Sequence, residues 1–559
     1  MIYCAALLFI QFINAQVPYS VEFEPSTGAR PLQGGLSDNG IINIEILNSS
    51  TIFLGTSGGL NVANYDLDDN YQISHYSEVE QLPSGGNPAL TIHDNIIAVS
   101  GLVSVDTSVG EESKGTGVSY SLNGGQTWNY IEQPKDNSNQ TDPTYINKWS
   151  CPWGNNNILY SDRATCNEYC DDCFGNNKSC KMYNYITWGN QSLIRNLSVT
   201  TDIQNISYDL AIQGDYIYAA SWAGSLRRFN YTIDEPFWEV VPLPMDDQNS
   251  LNCNQINLSS YQINPVGNHV QDGNDDCGYE FDNHKVFSVY SLEDTLWVGT
   301  ANGINKGIVS SDDCINWTSM KSADYGFYDD WVIGFEHQVF DDETDRIWAI
   351  TWDRRYDGSH EIYGGPPSYT DDGGKTWNIA YALLDREPFI TYNISPYADR
   401  VYVSSNQGLF ASYDGFLWEH IMQIQTQNEA VLDAEFINEL NHLWVSSQDN
   451  IDIVDLNLNE NYIASSIGDI NLDFYAYPNP IIGDQLIKFV YNGEEQNLNG
   501  VITIYDFSLD KVIEIESSGW TTWDGKNEYG KKVANGVYIC KYTHINNNTY
   551  SFNIMVINK

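Results

Sequence analysis

The chain has 559 residues with 74 acidic against 26 basic side chains, which gives a formal net charge of −48. A field of this sign repels phosphate backbones, so a nucleic-acid partner is excluded from the main hypotheses. The length exceeds the roughly 250–300 residues at which one hydrophobic core stops growing, so we expect more than one domain.

The N-terminus predicts a signal peptide over residues 1–15. An apolar run extends from Ile2 to Ile13, and Asn14-Ala15-Gln16 follows it, as at a secretory cleavage site. The run is too short to span a bilayer, and no later segment has about 20 consecutive apolar residues. The sequence therefore predicts an extracellular or outer-surface protein without a transmembrane segment.

Short apolar strands that end in small residues recur along the chain, each after a polar turn. They begin at Thr51, Asn95, Tyr216, Thr295, Arg346, Arg400 and His442. About seven β-rich units without an amphipathic helix between them predict an all-β fold, a β-propeller over residues 16–465. One four-stranded blade cannot bury both of its faces alone, whereas a ring supplies neighbours on each side. The alternation of bulky and small residues in "LWVGT" is typical of an inner strand packed between blades.

Two wide gaps between these units predict insertions, one rich in cysteine near 146–185 and one polar near 250–284. The stretch "CNEYCDDCFGNNKSC" has the C-x2-C spacing of a zinc or iron–sulfur site, but an exported chain favours disulfides. Cys253 with Cys277 is a candidate for closing a second loop. The disulfide candidates are Cys151, Cys166, Cys170, Cys173, Cys180, Cys253 and Cys277.

The stretch "SYSLNGGQTWNY" is repeated with variations at intervals along the chain. The matching positions are Ser121, Asn123, Gly125 and Trp128; Thr370, Asp372, Gly374 and Trp377; and Ser310, Asp312 and Trp317, with Cys314 in place of glycine. A shorter version runs from Ser412 to Trp418. The pattern resembles the Asp-box (BNR) hairpin of sialidases and related propellers, and "LWVGTANGIN" resembles two-component-regulator propeller repeats. An Asn or Asp side chain accepts hydrogen bonds from turn amides and Gly permits a positive φ, so we interpret the motif as structural.

Beyond about Ile470 the pattern changes to alternating strands separated by Asn-Pro, Asp-Gly and Asn-Gly turns. About seven short strands predict an immunoglobulin-like sandwich over residues 470–559. The stretches Tyr477 to Pro480, Trp523 to Asn527 and Val533 to Tyr538 resemble the immunoglobulin-like domain of the flagellar hook-assembly scaffold. The same module closes cargo proteins of the type IX (Por) secretion system, so the resemblance implies a sorting or anchoring domain with the secretion machinery as partner. A plain accessory sandwich is the alternative.

Several residues are candidates for binding a ligand at the mouth of the channel. Trp222 and Trp352 follow the small residues of recurring strands, where an indole can stack on a sugar or an aromatic ligand. Packing between blades is the alternative for tryptophan, charge balance for arginine and a structural role for histidine. The candidate residues are Trp222, Arg227, His284, Trp352, Asp353 and Arg354.

One acidic stretch makes calcium the only candidate cofactor. In "QDGNDDCGYEFDN", Asp272, Asn274 and Asp276 have the one-three-five spacing of a calcium loop. Cys277 stands where such a loop has Gly, so an EF-hand in the strict sense is not expected.

The sequence contains no complete catalytic constellation. It has no phosphate loop, no His-x-x-Glu-His motif and no Ser/His/Asp ordering, and the catalytic residues of any activity are unknown. The preferred hypothesis is a non-enzymatic extracellular protein whose propeller binds a glycan or a protein. The alternative is a glycoside hydrolase of the Asp-box propeller kind, sialidase-like or endo-glucanase-like.

Overall fold

The structure is a computed structural model. It describes residues 37–38, 40–65, 71–76, 81–107, 110–135, 146–151, 160–171, 177–188, 191–195, 205–244, 246, 248–252, 282–340, 344–353, 364–386, 388–421, 430–438, 440–447, 451–455, 460–464, 474–477, 481–482, 486–491, 498–506, 511–519, 521–545 and 549–557. The chain divides into two compact units, Met1–Ser466 and Ile467–Lys559. The predicted signal peptide lies outside the described residues.

In the described part of the first unit, seven antiparallel sheets of four or five strands follow one another, numbered here in chain order. Sheet 1 contains β1 (Ile41–Asn48), β2 (Thr51–Thr56), β3 (Gly59–Tyr65) and β4 (Tyr71–His75). Sheet 2 contains β5 (Leu90–His93), β6 (Ile96–Thr107), β7 (Gly110–Ser121) and β8 (Asn129–Ile131). An inserted sheet contains β9 (Ile146–Ser150), β10 (Lys181–Trp188) and β11 (Gln191–Arg195). Sheet 3 contains β12 (Asp209–Gln213), β13 (Tyr216–Ser221), β14 (Ser225–Asn230) and β15 (Glu239–Val240).

The remaining sheets of this unit repeat the same order. Sheet 4 has β16 (Ser250–Asn252) as its outer edge, then β17 (Val286–Leu292), β18 (Thr295–Thr300), β19 (Gly303–Val309) and β20 (Ile315–Met320). Sheet 5 contains β21 (Trp331–Val339), β22 (Asp345–Trp352), β23 (Ser368–Thr370) and β24 (Asn378–Ile379). Sheet 6 contains β25 (Thr391–Tyr397), β26 (Arg400–Ser405), β27 (Gly408–Ser412) and β28 (Glu419–His420). Sheet 7 contains β29 (Val431–Ile437), β30 (His442–Ser447), β31 (Ile451–Asp455) and β32 (Glu460–Ala464).

The seven sheets form a closed ring. The inner strands β1, β5, β12, β17, β21, β25 and β29 contact one another in that order, and β29 contacts β1. The gap between the last and the first sheet is filled by an apolar cluster that includes Ile41, Leu54, Trp444 and Ile453. Radial packing of this kind confirms the prediction of an all-β propeller fold.

The recurring apolar strand is the second strand of each sheet, and the expectation that it is the inner strand is wrong. In sheet 4, β18 pairs with β17 on its inner side and with β19 on its outer side. A second strand is covered by its own sheet at both edges and by neighbouring sheets on both faces, so its sequence is almost continuously apolar. The inner strand borders the channel and carries polar residues, which weakens its sequence signal.

The two faces of the ring carry different connections. Four antiparallel strands bring the chain back to the side from which it started, so the links between sheets share one face with the turns between second and third strands. This insertion face carries the long β6–β7 hairpin and the inserted sheet β9–β11. The opposite side, here called the hairpin face, carries the turns between first and second and between third and fourth strands.

The cysteine-rich insertion is stapled by disulfides. Cys151 is bonded to Cys170 and Cys166 to Cys180, around the short helix α1 (Arg163–Asn167). Cys314 is also disulfide-bonded, to a partner outside the described residues. The other three candidates, Cys173, Cys253 and Cys277, lie outside the described residues as well.

The other described helices are short. They are α2 (Ser322–Tyr325) and two 3-10 turns, Asp282–His284 and Tyr381–Arg386.

The second unit is a two-sheet β structure. One sheet contains β33 (Phe474–Tyr477), β35 (Ile487–Tyr491) and β38 (Thr522–Trp523). The other contains β34 (Ile481–Ile482), β36 (Asn499–Tyr505), β37 (Lys511–Ser518), β39 (Gly536–His544) and β40 (Thr549–Ile557). Phe489 and Trp523 of the first sheet pack with Ile502 and Ile554 of the second, and the thiol of Cys540 is buried in the same core.

Candidate functional site

Trp222 lies on the insertion face, in the turn between β13 and β14, but its ring belongs to the core. Only 9% of the residue is exposed. Its ring centroid lies 5.3 Å from that of Phe287 and 6.0 Å from that of Trp331. The ammonium of Lys285 lies 4.9 Å from its centroid. The indole therefore packs between sheets and is not presented as a stacking platform.

Trp352 at the end of β22 is also buried in this core. Its indole Nε1 donates to the carbonyl of Thr391 in sheet 6 at 2.8 Å. The backbone N–H of the next residue, Asp353, donates to the carbonyl of Gly364 at 2.8 Å. The structure thus brings Trp222 and Trp352 into one apolar cluster, where both join neighbouring sheets.

The remaining predicted ligand residues are buried or lie outside the described residues. Arg227 is 3% exposed, and its Nε donates to the carbonyl of Gly224 at 3.0 Å. His284 is buried in a 3-10 turn on the insertion face. Arg354 lies outside the described residues.

The predicted calcium ligands Asp272, Asn274 and Asp276 also lie outside the described residues. Among the residues that the structure does describe, no group of three or more His, Cys, Asp or Glu side chains is arranged to hold a metal ion.

The predicted Asp-box turn after β7 closes through side chains. Gly125 N–H donates to Ser121 Oγ at 2.8 Å, and Thr127 N–H donates to Asn123 Oδ1 at 2.9 Å. Gly125 has φ +86°, and a Cβ there would lie 2.8 Å from the ring of Phe53 in sheet 1. The glycine therefore allows both the turn and the close approach to the neighbouring sheet. Trp128 is buried beside it.

The turn after β23 has the same hydrogen bonds. Gly374 N–H donates to Thr370 Oγ1 at 2.9 Å, and Thr376 N–H donates to Asp372 Oδ1 at 3.0 Å. Hydrogen bonds to the Asp372 carboxyl, from the Thr376 N–H first and then from the hydroxyls of Thr376 and Thr370, lower its pKa to about 2. The ring of Trp377 is buried and lies edge-on to Trp297 of sheet 4, with centroids 6.0 Å apart.

The turn after β19 departs from this geometry. Ser310 Oγ donates to the carbonyl of Cys314 at 2.7 Å, whereas Asp312 is exposed. Trp317 is buried, as its counterparts are. All these turns lie on the hairpin face and stabilise contacts between neighbouring sheets.

Polar side chains that sequence reasoning missed line the channel of the ring. The seven inner strands surround a cavity of about 240 Å³. The register places one residue of each inner strand opposite the third residue of the second strand, or the fourth in β22. These residues are Glu45, Thr91, Ala211, Tyr290, Glu336, Ser395 and Glu435. We call this row the glutamate level.

A second row lies two residues earlier on the inner strands. Its members with side-chain hydrogen bonds to the next sheet are Asn43, Asp209, Ser288, Asn393 and Asp433. We call this row the latch level. A β-bulge immediately precedes it on five of the inner strands, as at Val431/Asp433. Bulges re-aim side chains, which explains why a polar residue can turn toward the neighbouring sheet here.

Asp433 is the latch between the last and the first sheet. Its Oδ2 accepts from the backbone N–H of Ile44 in sheet 1 at 2.7 Å. Its Oδ1 accepts from the N–H of Ala434 at 2.7 Å and from Asn393 Nδ2 of sheet 6. Burial raises the pKa of this carboxyl to about 6, and these hydrogen bonds oppose the rise. One carboxylate thus connects three sheets. In the same way, Asp209 accepts from the N–H of Val289 in sheet 4 at 2.9 Å.

The glutamate level concentrates carboxyl groups without a balancing cation. Burial first, and then repulsion from Glu435 and other carboxylates, holds the pKa of Glu45 and of Glu336 well above the usual range. Burial and the nearby Asp433 raise the pKa of Glu435 to about 8. Among the described residues that line this cavity, none is lysine or arginine. Burial therefore favours the protonated form of all three glutamates of this row.

The sequence contains a pattern that marks these glutamates, but the pattern is visible only when the pairing between the inner strand and the recurring strand is known. Glu45, Glu336 and Glu435 lie opposite Phe53, Trp348 and Trp444, the aromatic residues of the recurring strand. The hairpins that join the two strands differ in length, so a fixed spacing does not locate the acidic residue. The acidic residue would have been found by pairing the preceding strand with the recurring strand, starting at the hairpin and continuing to the residue opposite each aromatic side chain.

No family model matches the sequence, and no curated protein matches it either. Similar solved structures include PorZ, a surface component of the type IX secretion system of Porphyromonas gingivalis, at 12% identity and a TM-score of 0.27, covering 92% of this chain and 70% of that one. The extracellular domain of a hybrid two-component system from B. thetaiotaomicron is 10% identical with a TM-score of 0.30, covering 94% and 81%. YCF48 bound to the D1 peptide is 10% identical with a TM-score of 0.37, covering 77% and 96%. Similarities at this level do not indicate a function for this chain.

None of the helices in the described part of the chain has the length and apolar character that crossing a membrane requires.

Proposed function

We propose that the first unit is a non-catalytic binding module of an extracellular or outer-surface protein, and that its insertion face holds a glycan or a protein. The observation that carries the proposal is the placement of both described insertions on this face. The long β6–β7 hairpin and the disulfide-stapled sheet β9–β11 project from it, whereas the tryptophans nominated for stacking are used in packing.

The described insertions are held by hydrogen bonds and disulfides, which favours binding. The hairpin base is held by Thr116 Oγ1, which donates to the carbonyl of Ser84 at 2.7 Å, and by paired backbone bonds between Gly86 and Leu102. Two disulfides close the inserted sheet. Elements that are already ordered lose less conformational entropy on binding, so more of the contact energy appears as affinity.

The extracellular location is part of the proposal. Disulfides persist in oxidising compartments, and the N-terminal sequence resembles a secretory signal. The separate second unit has its own core and carries the stretches that resemble a type IX sorting domain. We propose that this unit addresses the chain to the secretion machinery and anchors it.

The experiment combines a glycan array with a reducing-sugar release assay on the mature chain. In the first variant, Asn-Gly replaces residues 104–113 and so shortens the β6–β7 hairpin. Val103 and Lys114 are already paired across the two strands, so a two-residue turn can connect them. The control Asp94→Asn alters an exposed turn of the same sheet on the hairpin face, at a positive φ that Asn tolerates. We expect binding without sugar release, weakened about tenfold in the shortened variant and unchanged in the control.

Other outcomes contradict parts of the proposal. Release of reducing sugar would establish the alternative, a glycoside hydrolase. A blank glycan array contradicts the glycan ligand, and a defined array of extracellular proteins then tests the protein ligand with the same two variants. Equal binding by the shortened variant and the control would exclude the hairpin from the binding surface.

A further inference from the structure

One hairpin of sheet 6 exposes apolar side chains on the hairpin face. Tyr413 is 64% exposed, Phe416 61% and Leu417 77%. Monomeric surfaces rarely expose several large apolar side chains side by side without a binding role.

The fold of this turn does not require apolar residues. Gly415 N–H donates to Ser412 Oγ at 2.9 Å, and the N–H groups of Phe416 and Leu417 donate to Asp414 Oδ1 at 2.8 and 2.9 Å. The equivalent turns of sheets 2 and 5 close in the same way with polar pairs, Gln126-Thr127 and Lys375-Thr376. The closure of the turn therefore does not explain the exposed side chains of Phe416 and Leu417.

A groove of about 850 Å³ lies beside this hairpin, between the hairpin-face turns of sheets 4, 5 and 6. Arg346 in its wall connects the two features. Its Nη1 donates to the carbonyl of Asp414 at 3.4 Å, and its guanidinium lies 3.8 Å from the ring centroid of Tyr369, which in turn contacts Phe416. Arg346 thus joins the backbone of the hairpin to the wall of the groove.

The groove has an excess of negative charge. Four carboxylates and two cations line it, and they are Glu293, Asp345, Asp371, Asp399, Lys306 and Arg346. Both cations are already engaged. Arg346 donates to both oxygens of Asp371 at 2.6 and 3.0 Å, and Lys306 Nζ donates to the carbonyl of Gly373 at 2.8 Å. Within a chain of net charge −48, this surface attracts a cationic partner.

We propose that the tip Tyr413, Phe416 and Leu417 and the adjoining groove form a docking site for a basic protein segment. Apolar side chains of the segment pack against Phe416 and Leu417, while its lysine or arginine residues face the groove carboxylates. An anionic membrane surface does not fit, because the chain repels anionic headgroups. The site lies on the face opposite the insertions, so it is independent of the glycan or protein site proposed above.

The test uses the mature full chain and three fluorescein-labelled 12-residue peptides. One alternates Lys with Leu and Phe, one carries Glu in place of each Lys, and one carries Ser in place of each apolar residue. Fluorescence anisotropy measures their affinities. The variant Phe416→Gln/Leu417→Thr gives the tip the pair found in sheet 2, and Leu417→Thr alone is a milder second variant at the most exposed position. Leu122→Thr is the matched control, because Leu122 is 46% exposed on the turn of sheet 2.

We expect the Lys/apolar peptide to bind and the double variant to bind it about tenfold more weakly. Leu417→Thr should weaken it by about threefold, Leu122→Thr should leave it unchanged, and the Glu peptide should not bind. Equal affinity of the Lys/Ser peptide would mean general charge attraction and would overturn the proposal. Failure of the Lys/apolar peptide to bind, or unchanged binding by the double variant, would overturn it as well.

Discussion

The latch level and the glutamate level of the channel lie two residues apart on the same inner strands, yet their polar groups have different surroundings. At the latch level, Asp433 accepts hydrogen bonds from three donors in three sheets. At the glutamate level, burial first and then repulsion from Glu435 and other carboxylates raise the pKa of Glu45 and of Glu336.

This difference shows what decides whether a buried carboxyl stabilises a propeller. Where the neighbouring sheet offers a backbone N–H, the carboxylate replaces its lost hydration and joins two sheets. Burial raises the pKa at both levels, to about 6 for Asp433 and about 7 for Asp209, but at the latch level the backbone donors oppose the rise, whereas at the glutamate level the neighbouring carboxyls add to it. The two rows therefore predict opposite responses to mutation.

The largest effect is expected for Asp433→Ala. The substitution leaves the N–H groups of Ile44 and Ala434 and the amide of Asn393 without their acceptor in a site that is 2% exposed. Each unsatisfied buried donor costs about 1–3 kcal/mol, so we expect a loss of about 3 kcal/mol in the free energy of unfolding. Denaturant unfolding followed by tryptophan fluorescence measures it.

The matched control is Asp94→Asn, because the side chain of Asp94 is 89% exposed and asparagine tolerates its positive φ of 55°. It should change the free energy of unfolding by less than about 0.5 kcal/mol. Equal losses in the two variants would show that the three hydrogen bonds of Asp433 contribute nothing to ring closure.

Much of the fold was predictable because the second strands have a strong local signal. The segment from Arg400 to Ser405 is buried at every position after Arg400, and such a run marks a strand covered on both faces. The prediction that this strand is the inner one was wrong. A continuously apolar sequence indicates a strand that is buried on all sides, whereas the inner strand borders the channel on one side.

The candidate sites were less predictable, because they depend on contacts between distant segments. Asp433 bonds with Ile44, which is 389 residues away, and nothing in either local sequence specifies that pair. The tryptophan at 222 follows a strand as a channel-mouth residue would, but its neighbours Phe287 and Trp331 come from other sheets. The local sequence pattern could not distinguish a tryptophan that stacks on a ligand from one that packs between sheets.

The second prediction concerns the pH dependence of stability. The pKa of Glu435 is about 8 in the folded chain, above the unfolded value near 4.5, so the folded state binds more protons between these pH values. The free energy of unfolding should therefore fall as pH rises through this window, by roughly 2 kcal/mol between pH 6 and pH 8. Denaturant midpoints at pH 6, 7, 8 and 9 measure the slope.

Glu435→Gln tests the origin of this slope, because it removes the charge and keeps the acceptor for Ser395 Oγ. Its advantage over the wild type in the free energy of unfolding should grow by about 2 kcal/mol from pH 6 to pH 8, which flattens the slope. A wild-type stability that is constant or rises from pH 6 to pH 8 would contradict the raised pKa of the glutamate level.

The smallest effect is expected for Ser395→Ala, at the point where the two levels meet. Ser395 Oγ lies within hydrogen-bond distance of the carbonyl of Ala434 and 2.6 Å from Glu435 Oε1, so one hydroxyl proton serves two acceptors. The bond to Glu435 favours the carboxylate and lowers its pKa, against the stronger effect of burial. Removing the hydroxyl should raise that pKa further and cost about 1 kcal/mol more at pH 9 than at pH 6.

Ser446→Ala is the control, because Ser446 Oγ donates to the backbone carbonyl of Asp433 at 3.3 Å and its loss should cost the same at both pH values. If Ser395→Ala behaves like Ser446→Ala, the hydroxyl bonds only the carbonyl, and Glu435 has no partner in sheet 6 that favours its charged form.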